Sequence, residues 1–196
     1  NSESKKWLIP SNNSSTGLQI YQPTSLKGKL FKRYFNLISK NRGILWLLKI
    51  KMQEIVLDKE VEDKISNIFK TRNLEFSIFL GTPCKDQKIT VQIFKKDKIL
   101  GYCKITDRES LKNSFNHENS ILRLLRNYEI SNVPSCLYIG SLDQMPDVKM
   151  MVMDTTKTME SLIPYSFDSI HHDFLTFIYN KTKKKIKFSD SDLNVT

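Results

Sequence analysis

The sequence contains few cysteines and no long apolar run. The three cysteines, Cys84, Cys103 and Cys136, show no C-x-x-C spacing, which argues against a disulfide framework and against a zinc site. The longest uninterrupted apolar run is Ile44–Leu48, whereas a membrane-spanning helix needs roughly 20 apolar residues. No signal-peptide pattern opens the chain. We therefore expect a cytoplasmic protein that is soluble or peripheral to a membrane.

The composition is that of a globular protein with a surplus of positive charge. Hydrophobic residues make up 39% of the chain, enough for a real core. There are 31 lysines and arginines against 21 aspartates and glutamates, a formal charge of +10. Such a charge favours contact with phosphate, nucleic acid or an anionic membrane, and it does not choose among them.

Residues 1–72 are predicted to form an arm and a helical extension. Turn formers dominate residues 1–25, and a basic segment at 27–51 follows, with Leu30, Tyr34 and Leu37 at helical spacing. This basic segment suits peripheral contact with a membrane surface. The favoured alternative is a helix that packs on the main domain with its lysines in solvent, because such stripes usually face a core. Both interpretations stay open.

Residues 73–157 are predicted to form an α+β lobe. Period-two patterns indicate a five-stranded, mainly antiparallel sheet with one packed helix at 107–127. The predicted strands are Leu74–Leu80, Lys88–Lys95, Ile99–Ile105, Ser135–Leu142 and Val148–Thr155. Thr106 and Glu109 have the spacing of a capping box at the start of the helix.

Two charged residues fall on apolar faces of these predicted elements. Glu118 lies within the apolar helical stripe formed by Leu111, Phe115, Leu122 and Leu125. Lys104 alternates onto the same strand face as Leu100 and Tyr102. A charge that faces a core needs a partner, so we expect Lys104 and Glu118 to pair.

A lysine on the third strand paired with a glutamate of the following helix is how kinases hold the phosphates of ATP. The sequence resembles here the first lobe of bacterial aminoglycoside and choline kinase-like phosphotransferases. The resemblance covers roughly residues 5–165, and it rests on these short motifs: Gly81-Thr82-Pro83, Gly101-Tyr102-Cys103-Lys104-Ile105, His117-Glu118-Asn119, Val133-Pro134 and Val152-Met153-Asp154.

The resemblance implies a nucleotide-binding role for seven residues. Lys104 would contact the phosphates with Glu118 as its partner, and Met153 would close the back of an adenine pocket. The backbone from Asp154 to Thr156 would form the hinge that binds adenine. The phosphate-covering turn is represented by Gly81 and Thr82, and a plain surface hairpin remains equally open there because the other glycines of the family's turn are missing.

Residues 158–196 are expected to be a linker and the start of a helical lobe that the chain does not contain. His171-His172-Asp173 imitates the catalytic loop of the superfamily, but Ile178 occupies the position of its asparagine. An amphipathic helix over 168–181, with Phe174, Phe177 and Ile178 buried and both histidines exposed, is the preferred interpretation.

The resemblance implies transfer of a phosphoryl group from ATP to a small polar acceptor such as a sugar. The general base and the magnesium ligands would belong to the second lobe, so we expect Mg²⁺ only with that lobe. The chain, which begins at Asn1 without an initiator methionine, is accordingly predicted to be a fragment without catalytic activity.

The alternative is a basic binding module for nucleic acid or an anionic membrane. No zinc-finger spacing and no RNA-recognition pattern of aromatics is present, so a specific nucleic acid is not expected.

Overall fold

The structure, a computed structural model, describes residues 6–39, 42–48, 50, 54–130, 132–156, 167 and 169–183. Within these residues there are six α-helices and six strands. The helices are α1 (Ser14–Gly17), α2 (Leu26–Ile38), α3 (Arg42–Leu47), α4 (Lys59–Phe69), α5 (Glu109–Asn127) and α6 (Ser169–Thr182). The strands are β1 (Trp7–Leu8), β2 (Glu75–Phe79), β3 (Ile89–Lys95), β4 (Lys98–Thr106), β5 (Cys136–Ser141) and β6 (Lys149–Asp154).

The strands form one open sheet in the order β1-β2-β3-β4-β6-β5, and all neighbours are antiparallel. The predicted α+β class is confirmed, but the prediction of five strands is wrong. The sixth strand is β1, where Trp7 pairs with Phe79 and Leu8 with Ile78. A two-residue strand shows no alternation in sequence; it is held here by long-range contacts, including stacking of the Trp7 and Phe79 rings at 5.0 Å.

One face of the sheet packs against α4. Val61 and Ile65 of this helix enter the larger buried cluster together with the strand residues Val91, Ile93, Cys103, Met150 and Val152. The Asp58 carboxylate accepts hydrogen bonds from the Glu60 and Val61 N–H groups and caps the helix. The helix that precedes residue 73 therefore shares its core with the predicted lobe.

The β5–β6 turn is fastened to the first turn of α4. The Glu60 carboxylate accepts hydrogen bonds from the Asp143 and Gln144 N–H groups. The Lys64 ammonium lies 5.0 Å from the Tyr138 ring centroid and donates to the Ser141 carbonyl. These contacts fix the rotation of α4 against the far edge of the sheet.

The opposite face of the sheet carries α5, whose Phe115 packs with Met151 and Met153. The predicted capping box does not form. The helix begins at Glu109 with Arg108 as its N-cap, and Thr106 is still the last residue of β4. The Thr106 hydroxyl accepts instead from the Arg108 N–H, since the strand extends one residue further than the pattern predicted.

A register shift lies between β3 and β4. Ile93 pairs with Gly101 and Phe94 with Ile99, so that Leu100 is left out of the ladder. Leu100 consequently packs against the α4-side cluster. Its predicted place on the face of Lys104 is wrong, because a bulge interrupts the strict alternation on which the prediction depended.

The N-terminal arm lies against β2 and β3. The buried Gln92 amide donates to the Thr16 carbonyl at 2.8 Å, and the Ser14 and Ser39 hydroxyls are 3.0 Å apart. A chain of aromatic contacts then links α2 to the sheet edge, running through Trp7, Tyr21, Phe31 and Phe35. The inward face of this basic helix thus packs against the arm, and the arm in turn lies on the sheet.

The C-terminal helix α6 spans residues 169–182, close to the predicted 168–181. Phe174 and Ile178 are half-buried, but Phe177 is exposed, contrary to the prediction. His172 is exposed as expected, whereas His171 is half-buried. Residues 184–196, which follow this helix in the sequence, lie outside the described residues. No described helix is long and apolar enough to cross a membrane.

The buried thiol of Cys103 predicts a loss of stability at alkaline pH. Burial raises the pKa of this thiol, so the unfolded chain releases the proton first as the pH rises. Above a pH of about 8.5 the free energy of unfolding then falls, by about 2 kcal/mol at a pH near 10. Urea unfolding from pH 7 to 10 should show this fall, and Cys103→Ala should remove it.

The matched control for this experiment is Cys84→Ala, since Cys84 is exposed. Its pH profile should follow that of the unchanged protein. Parallel profiles for all three proteins would show that Cys103 does not contribute to the alkaline loss.

Candidate functional site

Lys104 occupies the middle of a row of side chains that crosses the sheet. Its cross-strand partners are Thr90 of β3 and Met151 of β6, and the row continues to Phe79 and Ile139. Directly paired residues of antiparallel strands project from the same face. Because Met151 packs with α5, this row lies on the α5 face of the sheet.

The predicted contact between Lys104 and Glu118 is confirmed. The Lys104 ammonium nitrogen lies 2.5 Å from Glu118 Oε1 and 2.7 Å from Oε2, so both carboxylate oxygens accept from it. The exposed fractions of the two side chains are 18% and 34%. This is a short, charge-assisted contact at the rim of the core, with one side open to solvent.

Partial exposure limits what this ion pair contributes to stability. Loss of one partner of a fully buried pair costs about 3–5 kcal/mol, whereas an exposed pair contributes about 0–1 kcal/mol. Water reaches Glu118, so the contribution of this pair lies between these ranges. The main effect of this ion pair is therefore that Glu118 orients the Lys104 ammonium group, and its contribution to the stability of the fold is modest.

Methionine side chains form the wall beside this pair. Met151 and Met153 are buried with Phe115, and Cys136 packs against them. Met153 pairs with Tyr102 of β4 and Cys136 of β5, so it lies on the same face as Lys104. An apolar wall beside a cation is a suitable surface for a flat ring that bears an anionic group.

Thr90 and Cys136 are site neighbours that the sequence analysis missed. Thr90 stands directly opposite Lys104, and the register that places it there depends on the β3–β4 bulge. Burial raises the pKa of the Cys136 thiol, while the nearby Arg123 and Lys104 cations lower it and Glu118 raises it. The alternation of β3 puts Thr90 on the polar face of this strand, but the partner of Thr90 follows only from the register between β3 and β4.

The β2–β3 turn lies at the same end of the sheet as Lys104. Gly81 has a φ of +81° and is buried, and a side chain there would meet the Lys88 carbonyl. Glycine is therefore required by the turn itself. The Ser110 hydroxyl donates to Asp86 at 3.2 Å, which ties the turn to the first turn of α5. Thr82 is exposed at the start of this turn.

The segment after β6 is partly engaged in the sheet. The Asp154 N–H donates to the Ser135 carbonyl at 3.0 Å, and the Asp154 carboxylate accepts from the Ser135 N–H at 2.5 Å. The predicted hinge residues thus begin at the end of β6, directly after Met153. The Asp154 N–H is already used, so any ligand here would have to contact other groups of residues 154–156.

A surface depression of about 400 Å³ lies elsewhere, between α4 and the β5–β6 turn. Four carboxylates, those of Asp58, Glu60, Asp63 and Asp143, line it together with two lysines. None of the predicted nucleotide residues lines it, and its acidic wall would repel phosphate. We therefore locate the candidate site at Lys104 and not in this depression.

The described residues contain no group of three or more histidine, cysteine, aspartate or glutamate side chains arranged to hold a metal ion. His172 and Asp173 are exposed on α6, 3.8 Å apart. Comparison of the chain with protein-family models, with curated proteins and with solved structures finds no significant match.

The Lys104–Glu118 contact predicts a coupled pair in unfolding experiments. Lys104→Met alone leaves a carboxylate on an apolar face, and Glu118→Leu alone leaves an ammonium there. Each single change should lower the free energy of unfolding, and the double variant should recover most of the loss. We expect a coupling energy of about 1–2 kcal/mol from urea unfolding of the four proteins.

The control cycle uses the Lys112–Glu109 pair of the same helix, whose atoms lie 3.0 Å apart with Glu109 largely exposed. Its coupling energy should be about 0.3 kcal/mol. Equal coupling in both cycles would mean that the Lys104–Glu118 pair is an ordinary surface contact.

Proposed function

We propose that residues 73–157 form the nucleotide-binding lobe of an ATP-dependent phosphotransferase that acts on a small polar acceptor such as a sugar. The observation that supports this most directly is the Lys104–Glu118 pair, which joins the third strand of the predicted lobe to the helix that follows it. In kinases a lysine and a glutamate in these positions bind the phosphates of ATP.

The geometry of the pair suits a phosphate ligand. An ammonium group has three donors, and the two Glu118 oxygens account for two of them. A third donor then remains for a phosphate oxygen, and the lysine is oriented before the ligand arrives. This preorganisation reduces the entropy that phosphate binding would otherwise lose in fixing a long side chain.

The proposal gives each neighbouring residue one task. Met153 would contact the base, and the backbone of Asp154 through Thr156 would bind the adenine edge without the Asp154 N–H. Thr82 and the Gly81 backbone would approach the phosphates from the β2–β3 turn. Thr90 is added to this set, since its hydroxyl shares the strand face of Lys104.

Phosphoryl transfer also needs a general base and ligands for magnesium, and the proposal assigns neither task to a residue of 73–157. ATP supplies the transferred group. The residues named here bind and orient ATP, and they exclude water from the side of its adenine base.

A lysine-directed ATP probe tests the proposal. An acyl phosphate of ATP should acylate Lys104, and free ATP should compete with this labelling. In a titration with a fluorescent ATP analogue, Lys104→Met should weaken binding roughly 10–100-fold, because one charge-assisted contact is lost. Glu118→Gln should weaken it less, since the ammonium group remains but is no longer oriented.

The matched control is Lys149→Met, which removes a cation from the neighbouring strand, where Lys149 contacts Asn116 at 2.6 Å. Its affinity should stay close to that of the unchanged protein. Absence of ATP binding, or equal affinities for the Lys104 and Lys149 variants, would overturn the proposal.

We further expect the 196-residue chain to bind ATP without turning it over. His171-His172-Asp173 departs from the superfamily loop at Ile178, and His172 and Asp173 lie exposed on α6. A phosphate-release assay with magnesium and candidate sugars should therefore show no activity. Turnover that disappears in Asp173→Asn would assign catalysis to this helix.

A further inference from the structure

The surplus of positive charge is confined to one part of the chain. Residues 4–53 contain ten lysines and arginines and no aspartate or glutamate. This segment therefore accounts for the whole formal surplus of +10, and the charges of the remaining residues balance. Of the elements described in it, α2 and α3 contain most of the apolar residues.

Helix α2 has two opposite apolar faces. Its inward face contains Phe35, which is buried, and Phe31, which contacts Tyr21 of the arm. Its outward face contains Leu26, Leu30 and Leu37, and the exposed fractions of Leu26 and Leu37 are 75% and 71%. At about 100° per residue, these leucines cluster on the side of the helix away from Phe35.

Helix α3 repeats this arrangement over a shorter length. Leu45 is buried, while its neighbours Trp46 and Leu47 are exposed, Trp46 to 80%. Exposed leucines beside an exposed tryptophan are unusual on a protein surface that only meets water. Tryptophan is enriched where proteins meet the boundary between lipid headgroups and acyl chains.

We propose that α2 and α3 bind the surface of an anionic lipid membrane. The outward leucines and Trp46 enter the boundary between headgroups and acyl chains, as the apolar face of an interfacial helix does. Lys27 and Arg33 border the leucine face on the helical wheel and contact the lipid phosphates. The inward face, fastened through Phe31 and Tyr21, holds the rest of the protein to the bound helices.

Charge and side-chain chemistry favour a membrane over other partners. A second copy would bring its own all-basic segment against this one, and like charges would oppose the contact. Nucleic acid would attract the lysines but would leave the leucines in water, since single strands are bound through aromatic stacking. An anionic membrane satisfies both features, because it presents phosphates above an apolar layer.

Vesicle binding of the 196-residue protein tests this proposal. The protein should sediment with phosphatidylcholine vesicles that contain about one third phosphatidylglycerol, and only weakly with pure phosphatidylcholine. Lys27→Gln with Arg33→Gln should lower the partition coefficient roughly 30-fold. Leu26→Gln with Leu37→Gln should lower it roughly tenfold or more, and glutamine preserves the helix propensity.

The controls change exposed leucines and exposed cations elsewhere on the protein. Leu124→Gln with Leu175→Gln changes two exposed leucines of α5 and α6, and Lys95→Gln with Lys98→Gln removes two exposed charges of the β3–β4 turn. Both control pairs should bind vesicles nearly as the unchanged protein does.

A second measurement does not depend on the folding of these variants. The chain has two tryptophans, so Trp7→Phe leaves Trp46 as the sole reporter. Its emission should shift to the blue on anionic vesicles, and lipids brominated in the acyl chain should quench it. Unquenched Trp46, or vesicle binding that the leucine changes leave intact, overturns the proposal. A concentration-dependent dimer that is lost in the leucine variant would assign the face to a second copy instead. RNA binding that is lost in the same variant would assign the face to nucleic acid.

Discussion

The pairing of one charge on a partly buried sheet face, together with the packing of Phe115 beside it, determines how the sheet and α5 fit together. Alternation along β4 places Cys103 in the α4-side core and Lys104 on the opposite face. An ammonium group on that face requires an anion, and α5 supplies Glu118 from within its apolar stripe. The rotation of α5 that brings Glu118 to Lys104 also turns Phe115 onto Met151 and Met153. Ion pairing and apolar packing thus specify the same orientation of the helix.

Much of this arrangement could be predicted because it depends on local periodicity. The five longer strands, the central helix and the Lys104–Glu118 contact all follow from residues that are spaced two, three or four apart. The features that were missed depend on long-range contacts. Strand β1 forms because Trp7 pairs with Phe79, which lies 72 residues later in the sequence. The bulge at Leu100 and the place of Thr90 depend on the register between two strands, and residue spacing within one strand contains no information about it.

The misplaced start of α5 has a related cause. A capping box is a local pattern, and Thr106 and Glu109 have the required spacing. Yet Thr106 also pairs with Lys149, so the sheet extends the strand over the residue that would have capped the helix. A tertiary contact therefore overrides a local preference. The Asp154 N–H is a second example. It donates to the Ser135 carbonyl, whereas the resemblance implied that the backbone of this residue binds adenine.

The sheet order separates the two proposed contacts in space. Helix α2 reaches the sheet through Tyr21 and through Trp7 of β1, the edge strand, whereas Lys104 lies on β4, three strands further along. Strands lie about 4.8 Å apart, so roughly 14 Å separates β1 from β4. A membrane that binds the outward face of α2 would meet the side of this helix opposite the aromatic contacts that link it to β1 and β2. Membrane contact through this outward face would therefore not require Lys104 or the β2–β3 turn.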